Sequence, residues 1–213
     1  MMKKKLFSAL LIALFGSSAL QAKDDGWIDL FDGKTLNGWN NPYSHGKATV
    51  VDGEIHLVAS KKFFLCTEKI YSDFIFEAEI KMPEGKSNSG FMFRCHVQPN
   101  KVFGYQAEVD TTGRAWSGGL YDEARRGWIS PKKPNDSPSG NAYRKKTKGS
   151  FKRHDWNKYK IQAEGNHIRI WVNGVLCNDL TDDTDTEGYI GLQHHGEDGQ
   201  IYRFRNIRVK ELK

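Results

Sequence analysis

The chain has 213 residues, 38% of them apolar and 27% charged, with 21 glycines and six prolines. That composition excludes a disordered chain, a collagen-like repeat and a bundle of membrane helices, and the length suits one large domain or two small ones. The formal net charge of +6 would suit a nucleic-acid binder, but three of the lysines sit within Met1–Lys5.

Those lysines precede an apolar run, Leu6–Phe15, and then a small, polar stretch, Gly16–Ala22. This is the order of a secretory signal peptide, and the run is shorter than the roughly 20 residues that span a bilayer. Residues 1–22 are therefore predicted to be cleaved. Residues 23–213 remain as a single domain, periplasmic or secreted, with no stable membrane anchor. Its net charge falls to +3, which removes the case for a nucleic-acid partner. The oligomeric state is not legible in the sequence.

From Trp27 onward the hydrophobic period is two. Asp52-Gly53 separates two short strands. Residues 73–82 alternate Phe74, Phe76, Ala78 and Ile80 with Ile75, Glu77, Glu79 and Lys81. Residues 90–96 set Phe91, Phe93 and Cys95 against Met92, Arg94 and His96, and residues 105–110 set Tyr105, Ala107 and Val109 against Gln106, Glu108 and Asp110. Each reads as a strand with one face in a core. Residues 129–150, proline-bearing and basic, read as a long surface or covering loop. Gly165-Asn166 and Asn173-Gly174 mark further turns, and Gly188–His194 and Gln200–Leu212 two further strands, the last bulged near Asn206. No window of a dozen residues carries a capped helical face. An all-β fold of two packed sheets follows, a sandwich or jelly roll. Cys66, Cys95 and Cys177 read as buried apolar cysteines with no zinc spacing.

Chemistry concentrates on the polar sides of these strands. Glu77, Glu79, Arg94, His96, Gln106, Glu108 and Asp110 are expected on one face, with groups that make directional hydrogen bonds to a polyol. Trp116, Tyr121 and Trp128 could stack on a sugar ring, and the segment between them adds Glu123, Arg125 and flexible glycines. Carboxylates at i and i+2, Glu77/Glu79 and Glu108/Asp110, lie about 6.6–7 Å apart at Cα, near glycosidase spacing. Gln193 and His195 share a strand face, and a histidine beside a carboxylate can act as a base. No HxH, HExxH or GxGxxG pattern occurs, so no preformed zinc site or nucleotide cofactor is expected.

In order along the chain, several segments resemble one family: Trp27–Lys34 with Leu36–Trp39, Ser89–Arg94, Gly104–Asp110, Trp116–Trp128, Gly191–His195 and Phe204–Arg208. The family is the 3-keto-glucoside 1,2-lyase/3-keto-2-hydroxyglucal hydratase domain, also called 3-keto-disaccharide hydrolase. The resemblance implies a concanavalin-like sandwich, a site on its concave face, and an oxidised, 3-keto sugar as substrate. Many members carry Gly-Tyr-Glu-x-Gln where this chain has Gly104-Tyr105-Gln106-Ala107-Glu108, so glutamate and glutamine are exchanged. The implied chemistry needs a base, Glu108 or His195; an enolate stabiliser, Arg94, Arg125 or a divalent metal; and an acid, Glu123 or Asp110. Gln106, Trp116, Tyr121, Trp128, Gln193 and Glu79 are the candidates for holding the sugar. Two other readings stay open from the residues: a non-catalytic carbohydrate-binding module, and a glycosidase acting on unoxidised sugars.

Overall fold

The computed structural model describes residues 26–132 and 137–213. The expected signal peptide lies outside the described residues. In chain order the strands are β1 (Trp27–Asp29), β2 (Trp39–Asn40), β3 (Lys47–Val51), β4 (Glu54–Val58), β5 (Phe63–Thr67), β6 (Phe74–Lys81), β7 (Asn88–Gln98), β8 (Lys101–Asp110), β9 (Leu120–Glu123) and β10 (Gly127–Ser130). The helix α1 (Pro138–Lys146) follows, then β11 (Asn157–Glu164), β12 (His167–Val172), β13 (Val175–Thr181), β14 (Tyr189–His194) and β15 (Ile201–Glu211).

The strands form two antiparallel sheets. One runs β13-β12-β11-β6-β15-β4-β3, with β1 pairing the far end of β15; the other runs β10-β9-β8-β7-β14-β5-β2. The expected alternations hold on β6 and β8, whose inward residues Phe74, Phe76, Ala78 and Ile80, and Tyr105, Ala107 and Val109, join the core between the sheets. Phe91 sits at its centre, with ring centroids 5.7 Å from Phe76, 5.0 Å from Tyr159 and 5.8 Å from Phe204. The predicted turns also hold: Asp52-Gly53 and Asn173-Gly174 both place two successive residues at positive φ, the twist that two-residue hairpins need. At Asn206 φ is +52° and the β15–β6 register slips, the expected bulge.

Two expectations are corrected. The segment 129–150 contains a helix: Ser137 caps it by accepting from Gly140 N at 3.1 Å, Pro138 lies in its first turn, and Arg144, Lys145 and Lys146 face the negative end of its dipole. Tyr143 anchors it, its buried hydroxyl donating to Ser117 O at 2.9 Å. On β7 the alternation breaks at a bulge between Phe93 and His96, where Arg94 adopts φ +46°. The inserted residue reverses the parity beyond it. Cys95 therefore leaves the main core and joins Phe64, Cys66, Met92 and Val102 in a separate cluster on the outer face. All three cysteines are buried and unbridged.

Candidate functional site

A cavity of about 270 Å³ opens on the outer face of the second sheet. It is lined by Asn88 of β7, Gln106 and Glu108 of β8, Tyr121 and Glu123 of β9, Trp128 of β10, Gln193 of β14, Lys62 and His195 from strand ends, and Arg114 from the β8–β9 loop. The period of two places them: Gln106/Glu108 and Tyr121/Glu123 are i, i+2 pairs on neighbouring strands, with Gln106 paired to Tyr121 in the register.

Glu108 forms the floor. It is 3% exposed, and burial pushes its carboxyl up to about 8, against the opposing hydrogen bonds from Asn88 and Gln106 and the charge of Arg114, and with Asp110 adding repulsion. Asn88 Nδ2 donates to Oε1, and Gln106 Nε2 donates to Oε2 at 3.0 Å. Gln106 Oε1 in turn accepts from Gln193 Nε2 at 3.0 Å. The Gln106 side chain lies flat across the strand only because residue 90 is glycine: a Cβ there would come within 2.4 Å of Gln106 Cγ.

Arg114 is the cation nearest the floor, its Nη2 3.6 Å from Glu108 Oε1. Its loop is shaped by the buried Asp110, which accepts from Thr112 N at 2.8 Å, Arg114 Nε at 3.2 Å and Trp116 N at 3.4 Å. The guanidinium rests on the Trp116 ring, 4.3 Å from its centroid, and Trp128 stands edge-on to both Trp116 and Tyr121. Across the cavity Lys62 is paired with Glu123. Burial, and then the negative charges of Glu123, Glu108 and Asp122, raise the Tyr121 phenol above its ordinary value. His195 is half-exposed, with Nδ1 3.1 Å from Glu197 Oε1.

Of the residues expected from the sequence, the structure brings Glu108, Gln106, Glu123, Tyr121, Trp128, Gln193 and His195 to the cavity. Asp110 and Trp116 lie behind it and support the Arg114 loop. Three expectations are corrected. Arg94 is fully buried away from the cavity: it donates to the carbonyls of Ser72, Gly165 and Asp185 and pairs with Asp73 Oδ1 at 2.8 Å. Arg125 pairs with Asp122 and Asp185, on the side of β9 opposite Tyr121 and Glu123. Glu79 belongs to the other sheet, where it pairs with Arg205 at 2.8 Å. Lys62, Asn88 and Arg114 were not singled out from the sequence, although Asn88 adjoins Ser89-Gly90 and Arg114 lies two residues before Trp116.

Among the described residues, no group of three or more His, Cys, Asp or Glu side chains converges as a metal ligand set. The cavity's carboxylates are already turned to Lys62, Asn88 and Gln106, so the residues present do not fit a divalent metal in the arginine's role. The helical part of segment 129–150 does not cover the cavity; none of its described residues lines it. No described helix is long and apolar enough to cross a membrane.

Solved structures share the architecture. A candidate glycosyl hydrolase from Parabacteroides distasonis is 18% identical, with 88% of this chain and 94% of that chain covered, at a TM-score of 0.59. A second candidate glycosyl hydrolase from the same organism is 21% identical, with 87% and 99% covered, also at 0.59. A carbohydrate-binding module of family CBM66 from Bacillus subtilis is 19% identical, with 82% and 96% covered, at 0.57. No curated protein matches the chain. The sequence profile of the 3-keto-alpha-glucoside-1,2-lyase-like domain matches residues 26–210. With the polar, aromatic-walled cavity set on an all-β sandwich, the chain belongs to the 3-keto-alpha-glucoside-1,2-lyase-like family.

Proposed function

We propose that the protein cleaves 3-keto-glycosides by β-elimination across C1–C2 and adds water to the resulting enone, acting outside the cytoplasm after loss of its signal peptide. The observation that carries this reading is Glu108: a buried carboxyl with a pKa of about 8, held at both oxygens by side-chain amides, at the floor of a cavity with two cations and a phenol.

Each demand of the chemistry meets a residue. The C3 ketone acidifies the C2 proton, and Glu108 in its ionised form removes it; the C–H electron pair moves into the C2=C3 bond of an enolate. Arg114 and Lys62 supply positive charge for the enolate oxygen, where buried charge acts far more strongly than in water. The enolate collapses back to the ketone, the C1=C2 bond forms, and the C1 substituent leaves with its electron pair. Glu123 is engaged with Lys62, so Tyr121 is the O–H donor left on that wall to protonate the leaving oxygen. In the second half, water adds its oxygen to C1 as one of its protons passes to the Tyr121 phenolate, and the proton held by Glu108 returns to C2, which restores both residues and completes a net hydrolysis. The aromatic wall of Tyr121 and Trp128 offers C–H stacking surface to the ring.

The test mixes residues 23–213 with a 3-keto-disaccharide and its unoxidised parent, following enone absorbance and released sugar. Turnover of the keto form alone, lost in Glu108→Gln, is expected. Hydrolysis of the parent sugar would replace this reading with a glycosidase. Binding without turnover of either sugar would replace it with a carbohydrate-binding module.

A further inference from the structure

Among the described residues, three buried side-chain polar atoms have no hydrogen-bond partner: Trp116 Nε1, Gln200 Oε1 and Gln193 Oε1. Only the last belongs to a residue that lines the cavity. Gln193 is 1% exposed, so bulk water does not serve it, and a buried acceptor left without a donor is costly to the fold. From this orphan oxygen we infer that Gln193 is a specificity-determining residue whose Oε1 receives a hydroxyl group of the sugar ring, an inference that rests on the proposed sugar substrate.

The sense of that contact is fixed three residues deep. An ionised Glu108 only accepts hydrogen bonds, so Gln106 must turn its Nε2 toward it, as observed at 3.0 Å. Gln106 Oε1 is then left to accept, and Gln193 Nε2 donates to it, also at 3.0 Å. Gln193, one of the residues lining the cavity, is thereby left with its oxygen, not its nitrogen, unpaired. Gly90 locks the relay in place, because a Cβ there would displace Gln106.

Two consequences concern the ligand. A carbonyl oxygen cannot sit against Gln193 Oε1, since acceptor would face acceptor; the keto group is directed instead to Arg114 and Lys62. The group at Gln193 must carry a hydrogen, so an analogue with that one hydroxyl replaced by hydrogen leaves Oε1 unpaired in the complex.

The experiment uses the 3-keto sugar, the unoxidised sugar and the monodeoxy analogues of each at pH 8.5, where Glu108 is largely ionised. kcat/KM is measured for the keto series and Kd by calorimetry for both series, in the parent protein and in Gln193→Met. The parent protein is expected to disfavour one deoxy analogue by about 10- to 100-fold. Gln193→Met should weaken the fully hydroxylated sugar and abolish the difference between the two. Equal handling of all analogues by the parent protein overturns the inference, as does discrimination that survives in Gln193→Met. The analogue series on the parent protein alone decides the matter if the variant fails to fold. Turnover without discrimination removes this inference and leaves the lyase reading standing. Gln193-dependent discrimination in binding without turnover does the reverse, and a protein that binds none of the sugars overturns both.

Discussion

Glu108 is held in an environment that opposes its own ionised form. Its ordinary value is 4.5 and its folded value about 8, so between these the folded chain retains a proton that the unfolded chain has released. Stability therefore declines as pH rises through that interval and levels off above it, the opposite of a salt-bridged carboxylate. Glu108→Gln cannot ionise, and it keeps both contacts once the Asn88 amide turns its oxygen toward the new NH2. It is expected to melt at the parent's temperature at pH 4 but to be more stable at pH 8.5, by several kcal/mol at most, as calorimetry at the two pH values would show. The same substitution should lower kcat/KM on the order of 10²- to 10⁴-fold. In the parent, kcat/KM should climb about tenfold per pH unit toward pH 8 and then flatten, the profile of a base that works deprotonated; a falling limb there would assign Glu108 as the acid. Arg114→Gln, which removes charge from a half-buried loop side chain, should cost about 100-fold or more in turnover and little in melting temperature.

The β9–β10 hairpin carries Tyr121 and Glu123 on one side of β9 and Asp122 on the other. Asp122 receives Arg125 and Arg126, which reach on to Asp185 and Asp182 of the loop before β14. The site's aromatic wall is thus fastened from behind, and Asp122→Asn should raise KM for the sugar with less effect on kcat. A buried arginine fills the matching role on β7: Arg94 satisfies three carbonyls and Asp73. Arg94→Ala strips the guanidinium from the three carbonyls and from Asp73, which keeps only Gly165 N, and is expected to cost about 3–5 kcal/mol of stability, measured by denaturant unfolding, without the pH profile of the chemistry changing in any protein that still folds. These elements also show what the sequence discloses. Alternation on β6 and β8 and the Asp-Gly and Asn-Gly turns were legible because strand parity and positive φ have local residue signatures. The helix was not, because nine residues with mostly polar composition show no apolar face; only Ser137-Pro138 announced it. The bulge was hidden for a different reason. An arginine at positive φ has no sequence signature, so parity was carried through it and Arg94 was assigned to the wrong face.

Across the whole molecule the two sheets present different outer faces. That of the first is a ladder of ion pairs, Glu54–Arg203, Glu77–Arg208 and Glu79–Arg205, roofed by arginines stacked on Trp27 and Trp156. Glu79→Gln there should change stability by no more than about 1 kcal/mol and leave turnover untouched. Period-two reading found Glu79's face without revealing which sheet it belongs to. Likewise Lys62, Asn88 and Arg114 reach the cavity from three separate chain segments that only the β8-β7-β14-β5 order brings together. The ladder titrates against Glu108. Hydrogen bonds from Arg203 hold Glu54 below its ordinary value. At Glu77 and Asp185 burial pushes upward, but Lys158 and Arg208, and Arg125 and His96, outweigh it. These contributions are present above the ordinary carboxylate values and vanish as pH falls through the depressed ones. With Glu108 acting in the other direction, thermal melts from pH 3 to 9 should peak near about pH 5 rather than at neutrality. The bulge at Arg94 has a consequence for anyone editing this chain. Every substitution on β7 leaves its reading frame intact, and even excising the extra residue, Arg94, would only straighten the strand, with Cys95, His96 and Val97 on the faces they hold now; excising Met92 instead would work like a dropped stitch, turning Phe93 outward and Arg94 into the core. Deletion of Met92 should therefore lower the melting temperature more than deletion of Arg94, which forfeits that residue's hydrogen bonds and no strand parity.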